Sequence, residues 1–136
     1  MKIFISCSRM FFNKVLPIKE ELERFGHIVS FPNGYNTPNL EEEMKLLKES
    51  EYREWKSKML KEDGELIKNN DAILVLNFEK NGIPNYIGEA TFLEMFRSLD
   101  SNKKIFLYNP IPNNMLKDEI EGMNPIVISG NLSLVQ

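Results

Sequence analysis

Five short, continuous apolar runs constrain this chain more than any other feature of its sequence. Lys2-Ile3-Phe4-Ile5-Ser6 opens the chain. His27-Ile28-Val29-Ser30-Phe31, Ala72-Ile73-Leu74-Val75-Leu76, Lys104-Ile105-Phe106-Leu107-Tyr108 and Pro125-Ile126-Val127-Ile128 follow. Runs that stay apolar on successive residues suit strands covered on both faces. Between them lie helical patterns. Val15, Leu16, Ile18, Leu22 and Phe25 recur at helical spacing, with Gly26 where a C-terminal cap belongs. Phe92, Leu93, Met95, Phe96 and Leu99 form a second stripe, and Asn114 to Gly122 reads as a short last helix. Strands alternating with helices indicate a parallel sheet sandwiched between helices. Five strands in 136 residues predict one domain over 1–136. Its expected form is a three-layer α/β, flavodoxin-like or Rossmann-like fold with a five-stranded parallel sheet in the order 2-1-3-4-5. Ligands of such sheets sit beyond the carboxyl ends of the strands, where the order reverses. That places the site in the loops after Ser6 and after Leu76.

Composition narrows the function. Seventeen Lys and Arg against twenty Asp and Glu give a net charge of -3, which speaks against a nucleic acid polymer as partner. One cysteine, Cys7, rules out an internal disulfide, and one histidine, His27, leaves no Cys/His zinc set. His27 also falls at the start of the second strand, too far from Cys7 for a nucleophile–base pair. No apolar run approaches the roughly 18 residues of a membrane span, and the N-terminal one is too short for a signal-peptide core. The expectation is a soluble, cytoplasmic protein without a membrane partner. GxGxxG, P-loop, GxSxG and HExxH motifs are absent, so a dehydrogenase or kinase type of nucleotide domain is not expected.

The stretch from Glu41 to Lys68 carries sixteen charges of both signs, with Met44, Leu47, Tyr52, Trp55 and Met59 near the helical period. It reads as a long or broken surface helix with one buried stripe; a lid or a subunit contact through Tyr52 and Trp55 is the alternative.

Three sets of polar residues fall at strand ends. Ser6-Cys7-Ser8-Arg9 follows the first strand and offers hydroxyls, backbone N–H groups and a guanidinium to an anion; a solvated, helix-capping turn explains the same residues. Asp71 starts the third strand, where an Asp often only caps a turn, and Asn77 stands at its carboxyl end. A Gly/Pro/Asn loop with Asn85, Tyr86 and Gly88 then opens a helix bearing Glu89, Thr91 and Glu94. Thr91 and Glu94 share a face, whereas Glu89 lies about 140° from Glu94. Glu94 is set among Phe92, Leu93, Met95 and Phe96. It is either rotated into water at the helix edge or turned into the cleft, where desolvation would raise its pKa and fit it to act as nucleophile or base.

These residues resemble the nucleoside 2-deoxyribosyltransferase superfamily, which includes the deoxynucleoside 5′-monophosphate N-glycosidases. The resemblance runs from Lys2-Ile3-Phe4-Ile5-Ser6 to Asn109-Pro110. It is best over Asp71-Ala72-Ile73-Leu74-Val75-Leu76-Asn77, the loop and helix to Glu94, and Asn102-Lys103-Lys104-Ile105. In that family a glycine-containing loop opens the helix of a nucleophilic glutamate, and a lysine precedes the next strand nine residues on, the spacing of Glu94 to Lys103. Three departures stand out. Glu94-Met95-Phe96-Arg97-Ser98 has Phe and Ser where the family has glycine and alanine, and Phe96 is expected to narrow the pocket. Asn85 and Tyr86 occupy the region of the family's loop acid. The turn Ser6-Cys7-Ser8-Arg9 lacks a glycine beside Arg9.

The resemblance implies cleavage or transfer at the N-glycosidic bond of a 2′-deoxyribonucleoside or its 5′-monophosphate. Glu94 would be the nucleophile, and Asp71 or Asn77 would hold or protonate the leaving base. Ser6, Ser8 and Arg9 would take a 5′-phosphate, and Tyr86, with Asn85, Gly88 and Thr91, would meet the sugar or base. It implies a small-molecule nucleoside or nucleotide partner, no metal or organic cofactor, and a homodimer or higher homo-oligomer. In that assembly the tail from Asn124, with Met123, Asn124 and Asn131 as candidates, would complete a neighbour's site. Two other classes remain: a non-catalytic nucleotide sensor on the same fold, favoured by the altered Glu94-Met95-Phe96 context, and an NAD-cleaving glycohydrolase.

Overall fold

The computed structural model describes all residues, 1–136. Its five parallel strands are β1 (Lys2–Ser6), β2 (Ile28–Ser30), β3 (Ala72–Val75), β4 (Lys104–Leu107) and β5 (Ile126–Val127), in the order β2-β1-β3-β4-β5. The helices are α1 (Val15–Arg24), α2 (Leu40–Lys45), α3 (Glu49–Lys68), α4 (Glu89–Asp100) and α5 (Lys117–Gly122). Single 3-10 segments at Arg9–Lys14 and Leu132–Leu134 lead into α1 and close the chain. The expected three-layer fold and strand order are both present. No helix is long and apolar enough to cross a membrane.

The uninterrupted strands serve two cores, as their pattern requires. Ile3, Ile5, Ala72, Leu74 and Phe106 pack with Val15, Ile18 and Leu22 of α1 and with Leu132 and Val135 of the tail. Their strand neighbours Phe4, Ile73, Val75, Ile105 and Leu107 face the other way, against Ile67 of α3, Met95 of α4 and Ile120 of α5. Alternate residues of a strand point to opposite faces, so every position of β3 is buried.

The edge strands are shorter than their apolar runs. β2 ends at Ser30 because Phe31 leaves the ladder to stack on Tyr35, ring centroids 4.3 Å apart, and Pro32 follows. β5 starts after Pro125, which has no N–H to give a ladder. The charged stretch is broken into α2 and α3. Leu46 and Leu47 stand exposed at the break, and Lys48 is extended, with ψ 146°. α5 begins late because the Asn114 side chain accepts the Leu116 N–H at 2.9 Å and turns the chain there.

Beyond β3, Asn77 ties two loops together. Its side-chain amide donates to the carbonyls of Asn109 and Pro110, both at 3.0 Å, and its carbonyl accepts the Asn109 N–H at 2.8 Å. The Asn109 side chain returns a bond to the Asn77 backbone carbonyl at 3.1 Å. Asn77 is therefore a structural clasp, not the substrate-binding group expected from its place at a strand end. Truncation to alanine strands several of these groups in a buried setting. Asn77→Ala should cost about 2 kcal/mol in urea unfolding while leaving ligand contacts in the neighbouring cleft intact.

Candidate active site

β1 and β3 are neighbours whose following connections leave to opposite faces of the sheet, and a cleft of about 270 Å³ opens there. Four segments line it: Ser6 at the end of β1 with Cys7, Ser8, Arg9 and Phe12; Pro32 to Gly34, Thr37, Pro38, Leu40 and Glu41 after β2; Trp55, Lys56, Met59, Leu60 and Asp63 of α3; and Lys80, Tyr86, Gly88 to Thr91 and Glu94 ahead of and within α4.

Local chemistry brings α4 to this place. Asn81 and Gly82, both at positive φ (49° and 82°), make a tight reversal in which Lys80 and Ile83 exchange backbone hydrogen bonds of 3.0 and 2.9 Å. Tyr86 N–H then bonds the Phe78 carbonyl at 2.9 Å, and the Lys80 ammonium sits 4.5 Å from the centre of the Tyr86 ring. Extended Gly88 precedes the first turn of α4 with the tyrosine ring packed over it.

Glu94 is turned into the cleft floor and is only 7 % exposed, which decides between the two orientations its sequence allowed. Ser6 Oγ lies 3.2 Å from Glu94 Oε1 and 3.1 Å from Thr91 Oγ1. A serine has one hydroxyl proton, so with Ser6 donating to the carboxyl the Thr91 hydroxyl supplies the other bond. Ser6 is buried at the end of β1 and holds Glu94; it is not free for the phosphate contact expected of it. Glu94 Oε2 is buried with no partner. Burial, and next the charge of Asp63, push the Glu94 carboxyl well above its ordinary 4.5; the Ser6 bond and Arg97 pull the other way.

Asp63 is the largest omission of the sequence reading. It is 8 % exposed on α3, and its Oδ1 accepts from the Asn33 side chain at 2.7 Å. Burial raises its carboxyl too, against Asn33, Arg97 and Lys56. A signal existed: Tyr52, Trp55, Met59, Asp63 and Ile67 continue one helical stripe at spacings of three and four. Trp55, Met59 and Asp63 of this stripe line the cleft, so the charged segment is one of its walls.

Other expected residues are distributed unevenly. Ser8, Arg9, Tyr86, Gly88 and Thr91 line the cleft. Asn85, at φ 53°, shapes the loop and does not line it. Asp71 lies at the opposite, amino end of the sheet, where its carboxylate accepts the Lys2 N–H at 2.8 Å; it orders a turn and cannot reach a substrate in the cleft. Arg9 is engaged: it donates to the Pro38 carbonyl at 3.1 Å and pairs with Glu42 at 2.7 Å, holding α2 over the rim. Beside it, Lys56 and Tyr52 both bond Glu41, and the Lys56 hydrogen bond holds that carboxyl below its usual range. Phe96 is 53 % exposed on the outer side of α4 and does not narrow the pocket. Ser98 is buried and donates to the Glu94 carbonyl at 2.8 Å. Cys7 is pushed up to about 12 by burial and the Glu94 charge, and His27 bonds the N-terminal amine away from the cleft. No three His, Cys, Asp or Glu side chains converge to hold a metal ion.

The arrangement defines an α/β protein with a cleft at the strand-order switch and two facing carboxyl groups withdrawn from water. No family model and no curated protein matches the sequence. Among solved structures it is similar in fold to a Clostridium botulinum CMP N-glycosidase, BcmB. The two are 15% identical, the match covers 99% of this chain and 98% of that one, and the TM-score is 0.57.

A carboxyl group raised by burial weakens the fold once the unfolded chain can ionise. Below the ordinary 4.5 both states hold the proton; between there and the raised folded value the native state keeps a proton that the unfolded chain has released, so stability falls as pH rises. Glu94→Gln removes that linkage and keeps an acceptor for Ser6. At pH 7 it should melt higher by about 4 °C, roughly what ~1 kcal/mol gives at this size. The gain should fade towards pH 4 in thermal melts followed by circular dichroism.

Proposed function

We propose that the protein cleaves the N-glycosidic bond of a nucleoside or nucleotide, with Glu94 as nucleophile and Asp63 as the acid that serves the leaving base. The observation that carries this reading is the Glu94 carboxyl: buried at the cleft floor, oriented by Ser6, with Oε2 left open. The fold shared with the CMP N-glycosidase lends support. The loss of the glycine in the Glu94 helix, which had favoured a silent sensor, has no effect on the cleft, since Phe96 points outward.

In the first step Glu94 Oε2 attacks the anomeric carbon as the C–N bond breaks, and the leaving base takes the proton from Asp63. Positive charge gathers on the sugar in the transition state, and a desolvated carboxylate beside it stabilises that charge more than an exposed one would. Water then cleaves the glycosyl ester, with Asp63, now ionised, accepting its proton. The chemistry needs one carboxyl ionised and the other protonated. Burial raises both carboxyls and the charge of Asp63 raises Glu94 further, so the free protein keeps a proton on Glu94; in this reading that proton passes to Asp63 as substrate seats, leaving Glu94 ionised to attack. Phe12, Trp55 and Tyr86 offer aromatic faces to a base. Arg9 and Ser8 at the rim suit a 5′-phosphate, which would compete with Glu42 for the guanidinium.

Chromatography of free base tests this, with CMP, the other ribonucleotides, their deoxy counterparts and the unphosphorylated nucleosides as donors. Glu94→Ala should abolish release, and Asp63→Asn should slow it by about 10²–10⁴-fold. Release should also fall as pH drops through the raised Asp63 midpoint, where the pair takes up a second proton and Glu94 can no longer ionise. If every donor is inert while a nucleotide still raises the melting temperature, the sensor reading replaces this one.

In the same assay Glu42→Gln reads the phosphate subsite. Freeing Arg9 from its ion pair should lower KM for 5′-monophosphates by a few fold, a gain of ~0.5–1 kcal/mol, and leave KM for nucleosides unchanged.

A further inference from the structure

α3 is a twenty-residue helix with a glycine, Gly64, inside it, where alanine would be about 1 kcal/mol more favourable. The reason lies on the neighbouring helix. Arg97, one turn beyond Glu94 on α4, reaches over Gly64 and donates through Nη1 to the backbone carbonyl of Leu60. A Cβ placed on Gly64 would meet that Nη1 at 2.9 Å. Leu60 lies one turn before Asp63, so one side chain spans the two helices that carry the two buried carboxyl groups.

The surroundings single this cation out. Glu94 is faced by Ser6 and Cys7 from β1 and the turn after it, by Asp63 from α3, and by Thr91 and Arg97 from its own helix. Asp63 is faced by Asn33 from the loop after β2, by Lys56 and Glu62 from its own helix, and by Arg97 from α4. Lys56 is committed to Glu41 at 2.8 Å. Arg97 makes no ion pair; its partner is a backbone carbonyl, which leaves its charge uncancelled.

We propose that Arg97 is a positioning residue: seated over Gly64, it ties α4 to α3 and holds one positive charge behind the Asp63–Glu94 pair. Its part in catalysis rests on the glycosidase reading above; the tie and the field do not. With the charge in place each acid sheds its proton at a lower pH. Without it both acids hold their protons to higher pH.

Carboxyl-carbon NMR titration of the ligand-free protein tests this, with signals assigned through Glu94→Gln and Asp63→Asn. Arg97→Met should move the midpoints of the pair upward. Gly64→Ala should move them the same way, because the new methyl displaces the guanidinium, and Arg97→Lys should recover much of the shift. Folded Arg97→Met or Gly64→Ala protein that titrates like the wild type overturns the proposal. So does Gly64→Ala gaining the ~1 kcal/mol of an ordinary helical alanine with no titration change. If Arg97→Met does not fold, Gly64→Ala and Arg97→Lys decide the matter. Base release is read separately. Shifted midpoints in a protein that cleaves nothing would remove the glycosidase reading alone; normal release with unmoved midpoints would remove the Arg97 proposal alone.

Discussion

The withdrawal of the Glu94 carboxyl from water, 7 % exposed with one oxygen bonded to Ser6, is the constraint around which the cleft is organised. Burying such a group costs several kcal/mol unless it is paired or keeps its proton. The fold tolerates it because the sheet beneath is covered on both sides by apolar packing that asks nothing of Glu94. Met95, its neighbour in sequence, is fully buried in that packing and fixes the rotation of α4. Once Met95 faces the sheet, Thr91, Glu94 and Ser98 form the adjoining face, and Ser6 at the end of β1 meets the first two. Core packing thus sets the orientation of the polar group.

The fold was legible because its signals are local and redundant. Continuous apolar runs give buried parallel strands, and their spacing leaves room for a helical crossover between each and the next. Strand ends were less legible: Phe31 is as apolar as the strand before it, and only its stacking on Tyr35 takes it out of the sheet. At the site, residues just after β1 and before α4 were found by topology alone. Asp71 gains a role only through the family resemblance, although its place at the start of the third strand already puts it at the amino end, across the sheet's full height from the cleft.

Asp63 illustrates a different limit. A charged residue in a segment with sixteen charges reads as surface, and most of its neighbours are on the surface. What sets it apart is its phase on the helix, shared with Trp55, Met59 and Ile67, together with Asn33, thirty residues earlier, which meets it in space. Phase is readable in a sequence; a partner thirty residues away is not. Ser6 shows the same difference in reverse. Its position was anticipated, yet its partner turned out to be a carboxyl group and not an anion, because a buried hydroxyl bonds the nearest acceptor that cannot reach water.

Charge is divided between the rim and the floor of the cleft, and the division has a physical logic. At the rim, Arg9–Glu42 and Lys56–Glu41 are cancelled pairs near solvent, cheap to open and able to exchange one anion for another. At the floor, two acids are accompanied by one cation that pairs with neither and bonds a backbone carbonyl. A full ion pair there would hold one carboxylate permanently ionised and lower its basicity. No cation at all would leave both carboxyls raised further. A positive charge near both acids, on a side chain seated by a glycine and a helix carbonyl, lowers the proton affinity of each without pairing with either. That charge is held by a backbone carbonyl and the space over a glycine, a geometry that ligand binding does not need to rebuild.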